Sequence, residues 1–154
     1  MSKVYVLVGV PGSGKTTWIK NQLWTLGMPV ISTDNFVEDY ARQQGKTYSE
    51  VFDEYMPTAV KLMAEQVVFY RENGVDMIWD QTSTTVKSRK RKFAMLSDYE
   101  HIAIVFDTPE WKELKRRLDS REGKHIPKEV IESMIKDFEM PTEEEGYKEI
   151  WRAV

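Results

Sequence analysis

Cysteine is absent from this chain of 154 residues, and histidine occurs only twice. The first absence removes disulfides, thiolate metal centres and cysteine nucleophiles. The second, with His101 and His125 far apart in sequence, argues against a histidine-built metal site. Long apolar runs are also missing, and nothing approaches the ~18 residues of a membrane span. The opening Met-Ser-Lys-Val leads straight into a strand-like run with no visible secretory leader. The expectation is therefore a cytoplasmic protein with no membrane partner.

Positive charge is not in excess either. A formal net charge of −3 excludes a surface coated in positive potential, although the charge is uneven. Residues 87–92 (KSRKRK) and 112–124 are basic, while 139–149 is acidic. Apolar residues make up 41% and charged residues 31%, an ordinary balance for one soluble domain spanning 1–154.

Period and punctuation give the order of elements. Lys3–Val8 is an apolar, β-branched run ending at glycine and reads as a buried strand. A helix is expected over 15–26, closed by Gly27, then a short strand over 29–32. Thr47-Tyr-Ser-Glu50 has the form of a capping box and opens a helix to about Tyr55. Pro57 is placed in the first turn of a separate helix ending at Asn73-Gly74. Strands are expected at 75–79 and 102–106, with a basic helix over 86–96 between them. Helices starting after Thr108-Pro109 and at Pro127 follow. The tail, with Tyr147, Ile150, Trp151 and Val154, suits either a helix or a short strand. Alternating strands and helices predict an α/β fold whose four- or five-stranded, mainly parallel sheet carries helices on both faces. Ligands in such sheets bind beyond the carboxyl ends of the strands.

Beyond the first strand stands Gly9-Val-Pro11-Gly12-Ser13-Gly14-Lys15-Thr16, a complete G-x-x-x-x-G-K-[ST] motif followed by Thr17 and a helix. Its glycines let backbone N–H groups turn inward toward phosphate oxygens. Lys15 is expected to reach the β- and γ-phosphates of ATP, and Thr16 to help hold Mg2+. A merely structural glycine turn is a poor alternative, because the motif is complete and sits between strand and helix.

Two carboxylates follow neighbouring strands. Asp34, after the second, is a candidate base for an attacking hydroxyl, or equally an N-cap or turn aspartate. Asp80, after the third, is a candidate to bind magnesium or orient the acceptor, or else caps a helix. Thr82 and Ser83 behind it either contact substrate or shape the loop. Farther on, Arg117 and Arg121 lie one turn apart on one helix face, in a lid expected over about 111–126. Closed over ATP, they would stabilise charge on the transferring phosphoryl group; the alternative is a solvated face paired with glutamates. The 87–92 cluster reads more readily as solvated helix surface than as a nucleic-acid groove. His101 reads as a packing or solvent-facing residue.

Together these residues resemble the phage-type 5′-polynucleotide kinase family, and more loosely the kinase half of animal polynucleotide kinase-phosphatases. The resemblance spans nearly the whole chain. It rests on Gly9 to Thr16 with Trp18 after it, Asp34, Asp80-Gln-Thr82-Ser83, the two lid arginines and the helix led by Pro127. The ending Pro141-Thr-x-x-Glu-Gly146-Tyr147 is similar to the animal enzymes and favours a final strand. The resemblance implies a P-loop kinase fold, with Asp34 as general base and Arg117 and Arg121 in the lid. It also implies Mg-ATP as donor and a 5′-hydroxyl end of DNA or RNA as acceptor. The chain departs from the pattern at Val37, where the phage enzyme carries an arginine that contacts the acceptor's phosphate. It departs again at Ser83, which stands for an asparagine, with Gln81 inserted. Rival expectations are a kinase for another hydroxyl (a hydroxymethylated base in phage DNA, a nucleotide sugar or a small metabolite) and a nucleotide-dependent switch without an acceptor. The oligomeric state is left open.

Overall fold

A computed structural model describes residues 1–153; Val154 lies outside the described residues. Lys3–Val8 forms β1, the centre of the sheet, with buried residues along nearly its whole length. Its alternate side chains separate into two cores. Val4, Val6 and Val8 pack with Met63, Val67, Met77, Trp79 and Leu96, whereas Tyr5 and Leu7 pack with Ile78, Ile102, Ile104 and Phe106. A strand covered on both faces explains why its sequence is almost continuously apolar.

The other strands are β2 (Val30–Ile31), β3 (Met77–Trp79), β4 (Glu100–Val105) and β5 (Glu149–Arg152). Their order is β2-β3-β1-β4-β5, and every pairing is parallel. The helices are α1 (Lys15–Lys20), α2 (Thr33–Gln44), α3 (Tyr48–Glu72), α4 (Val86–Met95), α5 (Trp111–Asp119) and α6 (Lys128–Lys136). Trp18 and Ile19 of α1 cover one face of the sheet, and Met63 and Val67 of α3 cover the other. This is the expected α/β fold, and the tail forms a strand rather than a helix.

Three expectations are corrected. The helix expected to reach residue 26 stops at Lys20 and gives way to a 3-10 turn at Leu23–Thr25. Thr25 Oγ1 donates to the carbonyls of Ile19 (3.1 Å) and Gln22 (2.7 Å), which ties off the chain before another turn can form. Leu23 and Leu26 consequently stand exposed instead of facing the core.

The two helices separated at Pro57 are one, α3, with the proline inside it. Pro57 and Asp53, whose carbonyl loses its partner, both lie on the exposed side, where water takes the unmade bond. The buried stripe of Val51, Ala59, Met63 and Val67 runs through uninterrupted.

The basic run in α4 is not a solvated surface throughout. Arg89 is fully buried and Lys92 nearly so. Arg89 donates from Nε and Nη2 to Glu145 at 2.9 and 3.1 Å, and from Nη1 to the Ser83 carbonyl at 2.9 Å. Lys92 Nζ lies over the Trp79 ring, and burial lowers its pKa to about 8, helped by the neighbouring charges of Arg89 and Arg91. His101 is inside β4 and buried, with Nε2 donating to the Leu96 carbonyl at 2.7 Å.

Candidate active site

The cleft opens at the carboxyl edge of the sheet, where the loop after β1 turns into α1. Gly9 is fixed there by three neighbours. Its N–H donates to the Thr82 carbonyl at 2.9 Å, and a Cβ on it would stand 2.5 Å from Ser13 Oγ and 2.9 Å from Phe106 Cβ. Gly12 and Gly14 hold φ of +82° and +103°, which side-chain-bearing residues adopt only under strain. The chain thus closes a tight ring whose Lys15 ammonium donates to the carbonyls of Gly9 (2.8 Å) and Val10 (3.0 Å). Burial, with Arg121 adding to it against the opposing pull of Asp80, lowers the Lys15 pKa to about 8. Ser13 Oγ is buried with no hydrogen-bond partner.

Asp34 sits in the first turn of α2, which opens from an extended Ser32. The sequence reading gave this segment no helix, although Phe36, Val37, Tyr40 and Ala41 have helical spacing. Tyr48, at the start of α3, donates its hydroxyl to Asp34 Oδ1 at 2.6 Å. Lys124, beyond α5, donates to Asp34 Oδ2 at 3.0 Å and to Glu38 at 3.4 Å. Burial alone would raise the Asp34 carboxyl, but Lys124, the Tyr48 hydrogen bond and Arg121 outweigh it and hold the group below its ordinary range. Burial and the bond to Asp34 push the Tyr48 phenol far up. Asp80 is raised, chiefly by burial and against the opposing charge of Lys15.

The lid helix α5 packs directly on the phosphate loop. Leu114 and Leu118 are the side chains a Cβ on Gly12 would meet, and Arg117 Nη1 donates to the Gly12 carbonyl at 3.0 Å. Arg117 also bonds Glu113, so the paired-glutamate reading of this face holds in part. Arg121 differs: it stands beyond the end of α5 at Asp119 rather than one turn along the same helix face, and its Nη1 is buried with no partner.

One cavity of about 1490 Å³ is lined by Pro11 to Thr17, Asp34, Asp80, Thr82, Arg117 and Arg121. Two of the expected residues are elsewhere. Gly9 is buried beneath the loop, and Ser83 is buried at φ +48°, its carbonyl committed to Arg89. Tyr48, Glu38 and Lys124 line the cavity and were missed by the sequence reading. Only the tyrosine had a local signal, its place inside the capping box.

Thr16 and Asp80 present the oxygen donors that magnesium prefers. No cluster of three or more metal-ligating side chains occurs among the described residues.

The AAA domain family (AAA_33) matches residues 4–141. The chain belongs to that family. Among relatives of this AAA domain, the bifunctional polynucleotide phosphatase/kinase of Schizosaccharomyces pombe is 24% identical over 153 residues, covering 96% of this chain and 32% of the relative. The shikimate kinase of Rhodococcus jostii is 35% identical over 68 residues, 44% of this chain and 39% of that enzyme. The chain thus spans only 20% to 39% of the length of the curated relatives it matches. Among solved structures, a chain of the Pnkp1/Rnl/Hen1 RNA repair complex is 26% identical, with a TM-score of 0.66 over 88% of this chain and 43% of that one. A sugar kinase from Janibacter sp. HTCC2649 shares the fold at 20% identity, with a TM-score of 0.62 over 99% of this chain and 86% of that one. These matches agree with a P-loop kinase-like α/β fold.

Proposed function

We propose that this AAA domain transfers the γ-phosphate of ATP to a hydroxyl, and that the acceptor is the 5′-hydroxyl end of DNA or RNA. The carrying observation is that the phosphate loop, Asp34 and the unpartnered Arg121 guanidinium face one cavity. An arginine N–H that is buried and unused is costly unless an acceptor oxygen meets it, and a phosphoryl oxygen is such an acceptor.

In this reading Lys15 leaves its own loop carbonyls for the phosphates, and Arg117 and Arg121 bear on the transferring group from the lid. Thr16 and Asp80 would hold magnesium, which supplies charge neutralisation on the phosphates. Asp34 takes the acceptor's proton and orients its oxygen, being held ionised for that role. In the same reading Asp34, Asp80 and Thr82 would contact the acceptor. The polynucleotide acceptor is supported by the names of the Schizosaccharomyces pombe relative and the RNA repair complex.

A second reading, an acceptor without phosphates, is favoured by the apolar part of the cavity's lining. Phe52, Met56, Val130 and Met134 make it up beside the acidic Glu38 and Asp53, and none of residues 87–92 reaches the cavity. Labelled ATP offered with 5′-hydroxyl DNA and RNA oligonucleotides separates the two. Labelled oligonucleotide, lost in Asp34→Asn with ATP binding retained, is the expected result. No labelled DNA or RNA under any condition refutes the polynucleotide acceptor, and label on a hydroxylated small molecule then identifies the second class.

A further inference from the structure

Lys124 lies between α5 and α6, past the two lid arginines. Its side chain is only 11% exposed, and its ammonium stands 3.0 Å from Asp34 Oδ2 and 4.4 Å from the centre of the Tyr48 ring. With Tyr48 on Oδ1, the carboxylate is held at both oxygens, one from α3 and one from the lid.

The tip that carries Lys124 is itself docked. The Ser49 N–H donates to the Gly123 carbonyl at 3.0 Å, and the His125 N–H donates to Ser49 Oγ at 2.8 Å. Gly123 holds φ +70°, and a Cβ there would stand 2.9 Å from Thr47 Cβ. A glycine is therefore what lets the tip settle on the first turn of α3. Docking of the tip delivers the lysine to Asp34.

A carboxylate that receives an alcohol's proton needs a free lone pair directed at that alcohol. Tyr48 is fixed in α3, so the partner that can leave is Lys124, whose charge on Oδ2 weakens the carboxylate as a base while it stays. We propose that Lys124 is a positioning residue that selects acceptor over water: it occupies Asp34 Oδ2 until the acceptor hydroxyl displaces it. The proposal rests on Asp34 being the base. On displacement, the acceptor proton passes to Oδ2, the acceptor oxygen bonds the γ-phosphorus, and the bond from that phosphorus to the β–γ bridging oxygen breaks to release ADP. While Lys124 stays in place, its charge keeps Asp34 a weak base toward water beside the nucleotide.

The groups facing Asp34 are Glu38 on its own helix, Tyr48 from α3, Lys15 from α1, Asp80 beyond β3, and Arg121 and Lys124 from the lid. Of these, Lys124 bonds the oxygen in question. The test compares wild type, Lys124→Met and Lys124→Arg in three measurements. These are acceptor-free ATP hydrolysis, phosphate transfer to a 5′-hydroxyl oligonucleotide, and the Asp34 carboxyl titration by 13C NMR. In Lys124→Met, hydrolysis rises several-fold, the ratio of transfer to hydrolysis falls tenfold or more, and the Asp34 midpoint moves upward. Lys124→Arg keeps all three near wild type. If neither DNA nor RNA accepts phosphate, hydrolysis and the midpoint still decide. An unchanged hydrolysis rate and midpoint in Lys124→Met overturn the proposal and leave Asp34 as base. Full transfer by Asp34→Asn overturns the base reading, and the proposal with it.

Discussion

Arg89→Met is expected to be among the most damaging single changes outside the cleft. The guanidinium is wholly buried and makes three hydrogen bonds, two to Glu145 and one to the Ser83 carbonyl. Methionine fills most of the volume but leaves the Glu145 carboxylate, 11% exposed, without its cation. Breaking one side of such a buried pair costs about 3–5 kcal/mol, far above the ~0–1 kcal/mol of a surface pair. Glu145 also accepts from the Thr142 N–H, so it cannot swing out to water without uncapping its own turn. Urea unfolding followed by tryptophan fluorescence measures the loss, with Trp79 buried nearby as a probe. The double variant Arg89→Met/Glu145→Leu should recover part of it, since the unpaired charge is then gone. The damage should also reach the nucleotide site. Ser83 is held at φ +48° beside Thr82, whose carbonyl receives the Gly9 N–H. ATP affinity should therefore fall even well below the melting temperature. A loss under about 1 kcal/mol, the scale of an exposed pair, would refute the buried-clamp reasoning.

Lys92→Met should stabilise the fold at neutral pH. The lysine is buried without an acidic partner, and its folded pKa of about 8 lies below the ordinary 10.5. The unfolded state therefore binds the proton more tightly, and the penalty is full below about pH 8 and fades as pH rises toward 10.5. The wild type should gain stability over that alkaline window, by about 3 kcal/mol, whereas the variant shows no such rise in urea titrations. Gly9→Ala should abolish ATP binding by calorimetry, because its Cβ meets Ser13 and the Phe106 backbone-proximal carbon at under 3 Å. Val37→Arg should destabilise by about 3 kcal/mol or more without improving oligonucleotide phosphorylation, since it places a charge between α2 and α3; improved transfer would contradict the packing argument.

The parts of the site legible in sequence were those encoded locally. Strand, phosphate loop and helix occupy consecutive residues, and the glycines at 12 and 14 are demanded by backbone angles of the loop itself. The Thr47–Glu50 capping box was equally local, and it forms with both reciprocal bonds. What failed depended on context. Pro57 costs a helix most where its lost bond is buried, and here both it and Asp53 are exposed. Lys124 and Asp34 are 90 residues apart, so no spacing rule could join them. Arg89 was hidden inside a uniformly basic run, whose inward-facing members can be told apart only once Glu145 and Trp79 are in place.

The features that sequence tied to a polynucleotide acceptor change meaning in the fold. Val37 is a fully buried residue of the α2–α3 interface, packed with Ala41, Val51 and Ala59. An arginine cannot stand there without opening that interface, so the missing phosphate contact is a consequence of how α2 packs. The α4 cations are likewise divided, two of them turned into the core and none lining the cleft. The apolar part of its lining is Tyr48, Phe52 and Met56 from α3 with Val130 and Met134 from α6. Such a lining grips a flat or apolar group and gives little to a phosphate chain. A polynucleotide end held this way is gripped by its terminal nucleoside, so transfer should fall only weakly as salt rises. A steep loss of transfer with salt would point instead to a phosphate track outside the cavity, on the exposed Lys87, Lys90 and Arg91 of α4.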